Sequence, residues 1–253
     1  MMRLPFPVVS GPDWSGARYF TTTRQGGISA GAWHSFNVGF NTAEDPGVTA
    51  ANREQLCAFL PAEPVWLDQV HGNQVLDADT WQGAVGERPC ADAAVTSQAG
   101  RVVAVLTADC LPVVLFEPQA RVVAVAHAGW RGLAAGVLEN TLALMRSKAV
   151  APERCRAWIG PGIHQNAFQV GADVYQAFAG ADPEARNYFT AMAVEGSEKW
   201  LADLPGLAAL RLSRAGLGQV SLSGRCTYAE PNAFYSYRLN SVTGRMATVA
   251  WLD

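Results

Sequence analysis

Lysine is nearly absent from this sequence. It occurs only at Lys148 and Lys199 in 253 residues, and the arginines are scattered rather than run together. No basic stripe exists on which a phosphate backbone could be neutralised, so no nucleic-acid partner is expected. Cysteine is also sparse. Five residues (Cys57, Cys90, Cys110, Cys155, Cys226) form an odd set with no C-x-x-C pair. That excludes a disulfide scaffold and favours a reducing compartment, so the expected location is the cytoplasm. Long apolar runs are missing too. The stretch Val102–Phe116 is interrupted by Thr107, Asp109 and Pro112, and it is too short and polar to span a bilayer. The N-terminus carries prolines and no apolar core, so it does not read as a signal peptide. Histidine is limited to four residues.

The remaining composition is that of an ordinary globule: 49% hydrophobic, 16% charged, net charge −3. No repeat or linker stands out, so one catalytic domain is expected over residues 1–253. Strand-like runs fall at Tyr19–Thr23, Val65–Val70, Ala91–Thr96, Val102–Thr107, Val113–Phe116, Arg121–Ala126, Ala157–Ile159, Val220–Leu222 and Met246–Trp251. Helices are expected at Val48–Leu60, Leu133–Lys148, Gly171–Ala179 and Leu204–Ala215. In the second of these, Leu133, Val137, Leu138, Leu142 and Met145 share a face. Strands outnumber helices in irregular order. That predicts an α+β or mixed α/β fold rather than a doubly wound sheet.

Three residues with metal-ligand chemistry lie at strand ends: His71 after one, Cys110 before another, His127 closing a third. If Glu117–Ala120 is a hairpin loop and Phe116 pairs with Arg121, the register places Cys110 opposite His127. Opposed Cβ atoms lie about 4.5–5.5 Å apart, a spacing that suits a shared zinc ion. His71 is the candidate third ligand, leaving a fourth position for water. A buried cysteine is also commonly a small core residue, and a histidine after a strand a turn residue. The segment Ala128–Gly132 opens the best helix. Its glycines and Arg131 suit an anion, or equally a turn with a surface arginine. Asp109 reads as a residue that orients a ligand or moves a proton, or as a turn residue. His34 and His164 sit in polar loops.

The motifs are TTTRQGGIS (Thr21–Ser29), FNVG (Phe36–Gly39), ANREQL (Ala51–Leu56), QVHGNQV (Gln69–Val75) and ADAAVT (Ala91–Thr96). They continue with LTADCLPVVL (Leu106–Leu115), AHAGWRG (Ala126–Gly132), IGPGI (Ile159–Ile163) and CTY…FYSYR…TGR (Cys226–Arg245). In this order they resemble the bacterial family long labelled multicopper polyphenol oxidase or laccase-domain proteins. Its members are described as purine nucleoside phosphorylases with adenosine deaminase activity. The resemblance implies a compact α/β/β/α sandwich, similar to a cysteine-hydrolase-like toxin domain. It implies His71, Cys110 and His127 as zinc ligands, and marks Arg24 and Asn37 as pocket residues. His164, Gln169 and Leu239 depart from the family's usual Gly, Glu and Arg.

Four activities follow. The first is zinc-dependent chemistry on purine nucleosides: phosphorolysis of adenosine, inosine or methylthioadenosine, and adenosine deamination. The second, which the resemblance also implies, is a zinc amidase that removes a misincorporated amino acid from a UDP-muramoyl cell-wall precursor. The third is a metal-free hydrolase with Cys110 as nucleophile and His127 as base. The fourth is copper-dependent phenol oxidation, for which four histidines are too few to build a multicopper cluster.

Overall fold

The strand Leu111–Glu117 is buried along its whole length, as is Val122–Ala128 beside it. Both faces of such strands must be covered by other layers. The computed structural model shows how; it describes residues 4–84, 86–180, 182–192 and 198–253. These two strands are the middle of a six-stranded mixed sheet. Its order is Gln219–Leu222, Arg156–Ile159, Leu111–Glu117, Val122–Ala128, Ala93–Thr96, Val75–Asp77. One face, through Val113, Leu115, Ala124 and Ala126, packs on helices Val137–Ser147 and Leu204–Arg214. The other, through Val114, Phe116, Val123 and Val125, meets Tyr19, Val103, Val105 and Ala250 of a second sheet. That sheet has four strands, in the order Val8–Val9, Ala17–Thr22, Met246–Leu252, Val103–Thr107. Its far face (Phe20, Ala104, Ala247, Val249) packs with Leu56 of the helix Pro46–Cys57. The layers therefore run helix, sheet, sheet, helices, the α/β/β/α sandwich of an α+β fold. A small three-stranded sheet (Gln169–Val170, Phe189–Ala191, Trp200–Ala202) stands apart. No helix among the described residues is long and apolar enough to cross a membrane.

Three local expectations are corrected. The hairpin pairs Phe116 with Val123 and Pro112 with His127, so Cys110 is not directly opposite His127. Glu117 sets the register. Its carboxylate accepts from the backbone of Gln119 and Ala120, which keeps Glu117 paired with Val122 and moves the loop to Pro118–Arg121. The slip is two residues, so each side chain keeps its face, and Cys110 becomes a diagonal neighbour of His127. The long helix is broken into Trp130–Ala134 and Val137–Ser147 because Gly136 takes φ 91°, a left-handed conformation open to glycine. The expected face survives, with Leu133, Val137, Leu138, Leu142 and Met145 all buried. Val65–Val70 makes only isolated bridges at Val65 and Asp68. There the Gln69 side chain replaces strand pairing. Its Oε1 accepts from Leu106 N at 2.7 Å and its Nε2 donates to Leu106 O at 2.8 Å.

One of the two lysines staples this frame. Lys148, at the end of helix Val137–Ser147, lies 2.8 Å from both Asp77 and Asp79. Burial alone would raise the Asp79 carboxyl. Lys148 first, then Ser97 and Thr96, outweigh that and hold it down to about 2. A carboxylate with a depressed folded pKa stabilises above its unfolded value and loses that contribution as pH falls to the folded value. Asp79→Asn is therefore expected to cost about 1–2 kcal/mol near neutral pH, after allowance for solvent screening. The difference from wild type should shrink between pH of about 4 and about 2. Urea denaturation across that range checks it; a pH-independent difference would contradict the role given to Lys148.

Candidate metal centre

Ends of three strands of the six-stranded sheet carry the candidate ligands. His127 is the penultimate residue of Val122–Ala128, Cys110 immediately precedes Leu111–Glu117, and His71 lies in the loop before Val75–Asp77. One ligand atom from each residue lies within 4.8 Å of the others. Cys110 Sγ is 3.8 Å from His71 Nε2, and the two imidazole rings are 4.7 Å apart at 79°. His127 is buried, Cys110 half-buried and His71 exposed, so the group opens outward from a fixed base.

The base is Asp92, which the sequence reading did not single out. It is wholly buried at the head of strand Ala93–Thr96. Oδ1 lies 2.8 Å from His127 Nδ1 and accepts from His71 N at 3.0 Å. Oδ2 accepts from Val70 N and Gly72 N at 3.2 and 2.7 Å. One carboxylate thus orients one imidazole and wraps the loop that carries the other. His71 takes φ 59° to let its N–H join this nest. A signal existed in the sequence: an aspartate at the start of an apolar strand must find several donors if it is buried.

The electrostatics follow from these contacts. Burial would raise the Cys110 thiol, but His127, by charge and hydrogen bond, and then His71 draw it well below the usual thiol range. His127 is raised in turn, because Cys110 and Asp92 outweigh its burial. With Nδ1 held by Asp92, Nε2 is the nitrogen left for a ligand bond, the usual carboxylate–histidine–metal arrangement. Two imidazoles and a polarised thiol form a donor set that zinc accepts and that copper also tolerates. His34 and His164 do not line this cavity.

The cluster lies in a cavity of about 510 Å³. Leu67, Ile163 and Phe168 form apolar wall, while Asn41, Thr107, Tyr237, Arg238 and Arg245 bring polar groups. Asp109 also lines it, with φ 88°. Its two oxygens accept from Thr227 Oγ1 and Arg238 N, both at 2.6 Å, so it pins the C-terminal loops over the site.

The other residues singled out from sequence lie outside the cavity. Arg24 donates to His34 O and Pro231 O, both at 2.8 Å, and stacks on Tyr235. Asn37 is fully buried, linking Glu44 to the backbone of Gly39 and Arg245. Arg131 is exposed and stacks on Trp130 at the start of a five-residue helix. The glycine before that helix serves the cluster instead. A Cβ on Gly129 would sit 2.9 Å from Cys110 Sγ and 3.0 Å from His71 Cδ2. His164, Gln169 and Leu239 do not line the cavity; Gln169 offers its carbonyl to Arg238.

Comparisons with known proteins agree with this architecture. The family model described as multi-copper polyphenol oxidoreductase laccase matches residues 18–253. The chain is 42% identical over 246 residues to the purine nucleoside phosphorylase YfiH of Escherichia coli (strain K12), covering 95% of this chain and 97% of that protein. It is 41% identical over 245 residues to the purine nucleoside phosphorylase PA4543 of Pseudomonas aeruginosa, covering 96% and 97%. Among solved structures it is similar to NMB0706 of Neisseria meningitidis, with TM-score 0.88, 43% identity, and 98% and 99% of the two chains covered. YlmD from Geobacillus stearothermophilus gives TM-score 0.86 at 30% identity, with 96% and 94% covered. With a match over nearly its whole length, the chain belongs to the multi-copper polyphenol oxidoreductase laccase family.

Proposed function

We propose that residues 1–253 act as one cytoplasmic enzyme that holds zinc through His71, Cys110 and His127 and works on purine nucleosides. The observation that carries this is the Asp92-supported His–Cys–His cluster opening into a cavity of nucleoside size. The names of the relatives supply the substrate class. The five free cysteines suit a reducing compartment.

Bound zinc supplies a Lewis acid and lowers the pKa of a coordinated water toward about 7. The chain's own residues do the rest. Asp92 fixes the proton on His127 Nδ1 and holds the ring still. Leu67, Ile163 and Phe168 take the flat face of a base. Thr107, whose buried hydroxyl has no partner among the described residues, offers a hydrogen bond at the wall. In phosphorolysis a phosphate oxygen bonds to C1′ while the C1′–N9 bond breaks. The electron pair leaves with the purine, and the proton of the hydrogen phosphate ends on it. In deamination water replaces the C6 amino group, which leaves as ammonia. The test is chromatography of adenosine incubated with zinc-loaded protein and phosphate. Adenine with ribose 1-phosphate, or inosine or hypoxanthine, is expected; no product above a Cys110→Ala control would overturn the reading.

Asp92 also favours a second reading. Cys110, His127 and Asp92 stand in the order nucleophile, base and orienting carboxylate used by thiol hydrolases. That route does not need His71. Full activity in His71→Ala or in chelator-stripped protein would select it.

A further inference from the structure

Most ion-paired arginines of the chain lie on its surface layers. Arg18, Arg154, Arg211, Arg214 and Arg225 each meet an aspartate or glutamate. Two arginines of the cavity do not. Arg238 and Arg245 have no acidic side-chain partner among the described residues. Each spends one nitrogen on carbonyls. Arg238 Nη1 donates to Gln169 O at 2.9 Å and Ala167 O at 3.4 Å. Arg245 Nη1 donates to Gly244 O at 2.9 Å and Thr243 O at 3.1 Å. Carbonyls position a guanidinium without neutralising it. For each, Nε and Nη2 keep no protein acceptor among the described residues.

Both arginines are held from behind. Arg238 N donates to Asp109 Oδ2, and Arg245 N donates to Asn37 Oδ1 at 2.8 Å. Asn37 is itself fixed by the buried Glu44 at 2.8 Å. Gly39 leaves room for the Arg245 stem, since a Cβ there would come within 2.6 Å of its Cγ. The only carboxylate lining the cavity among the described residues is Asp109, and its oxygens are already engaged by Thr227 and Arg238 N. Two oriented guanidiniums that no carboxylate pairs directly, in one half-enclosed cavity, form a receptor for an anion. Their planar forks match phosphate oxygens.

We propose that Arg238 and Arg245 form a phosphate subsite facing the His71–Cys110–His127 cluster. The proposal rests on the nucleoside reading for its simplest occupant, inorganic phosphate as co-substrate. The same chemistry would receive the diphosphate of a nucleotide-linked substrate, and the experiment separates the two.

Calorimetric titration of the purified protein with inorganic phosphate, and separately with UDP, needs no turnover. Saturable phosphate binding is expected, weakened at least tenfold by Arg238→Gln and by Arg245→Gln and less by the lysine variants. Arg131→Gln, outside the cavity, should bind as wild type. Should the glutamine variants unfold, phenylglyoxal labelling of wild type provides the same test. Phosphate should then protect Arg238 and Arg245, as read by peptide mass spectrometry. UDP binding tenfold tighter than phosphate, still dependent on both arginines, keeps the subsite and assigns it to a nucleotide-linked substrate. Arginine-dependent phosphate binding without adenosine cleavage also keeps the subsite while removing the nucleoside reading. Absence of binding by either anion, or binding and protection that ignore both arginines, would overturn the proposal.

Discussion

Replacing Asp92 with alanine is expected to lower zinc affinity by about 10–100-fold and to destabilise the fold by about 3–5 kcal/mol. The carboxylate is wholly buried and serves His127 Nδ1 and three consecutive backbone N–H groups. Burial would raise its pKa, but His127 and the backbone donors of Gly72 and Val70 hold it down, so it stays ionised. Truncation orphans the buried His127 Nδ1 and three part-buried backbone N–H groups at once, and a fully buried unmet donor costs about 1–3 kcal/mol, a part-buried one less because water reaches it. Asp92→Asn separates the two effects. It keeps the volume but turns an amide NH₂ toward donors, so metal affinity should fall although packing is preserved. Chelator competition and urea denaturation read the two quantities. Wild-type zinc affinity in both variants would show that Asp92 does not support the centre.

Gly129→Ala is expected to injure the site from the opposite side. The added Cβ would press on Cys110 Sγ and His71 Cδ2 together, at 2.9 and 3.0 Å. Neither contact is the free end of a flexible chain, since both groups belong to the cluster. Overpacking of this kind costs about 1–3 kcal/mol. A displacement of order 1 Å at a reacting centre costs about 100-fold in rate. The expected phenotype is a folded protein with thermal unfolding lowered by about 2–10 °C and activity reduced about 100-fold. Unaltered turnover with zinc retained would mean that the ligand positions tolerate the shift.

The cluster was legible in the sequence because strand ends and family motifs both pointed to His71, Cys110 and His127. The layer order was legible only through the family resemblance, and the structure bears it out: a strand such as Val122–Ala128, buried throughout, is covered on both faces. Contacts between a side chain and backbone, near or distant in sequence, were not legible. Glu117 shifted the hairpin by capping its loop, Gln69 substituted for a strand, and Asp92 gathered donors from residues 70–72. None of these has a periodicity or a spacing. The arginines illustrate the same limit. Arg24 and Arg131 sit in conspicuous motifs yet serve a loop and a tryptophan face, whereas Arg238 and Arg245 reach the cavity through the packing of the C-terminal loops. Sequence separation hides which arginine shares a space with Cys110.

The most direct measurement is metal content and cobalt spectroscopy on wild type and Cys110→Ala, purified identically. One zinc per chain is expected in the wild type and little in the variant. Cobalt in place of zinc should give the wild type a thiolate-to-metal charge-transfer band that Cys110→Ala lacks. Stoichiometric zinc in Cys110→Ala, or a cobalt spectrum unchanged by the substitution, would contradict a centre built on His71, Cys110 and His127.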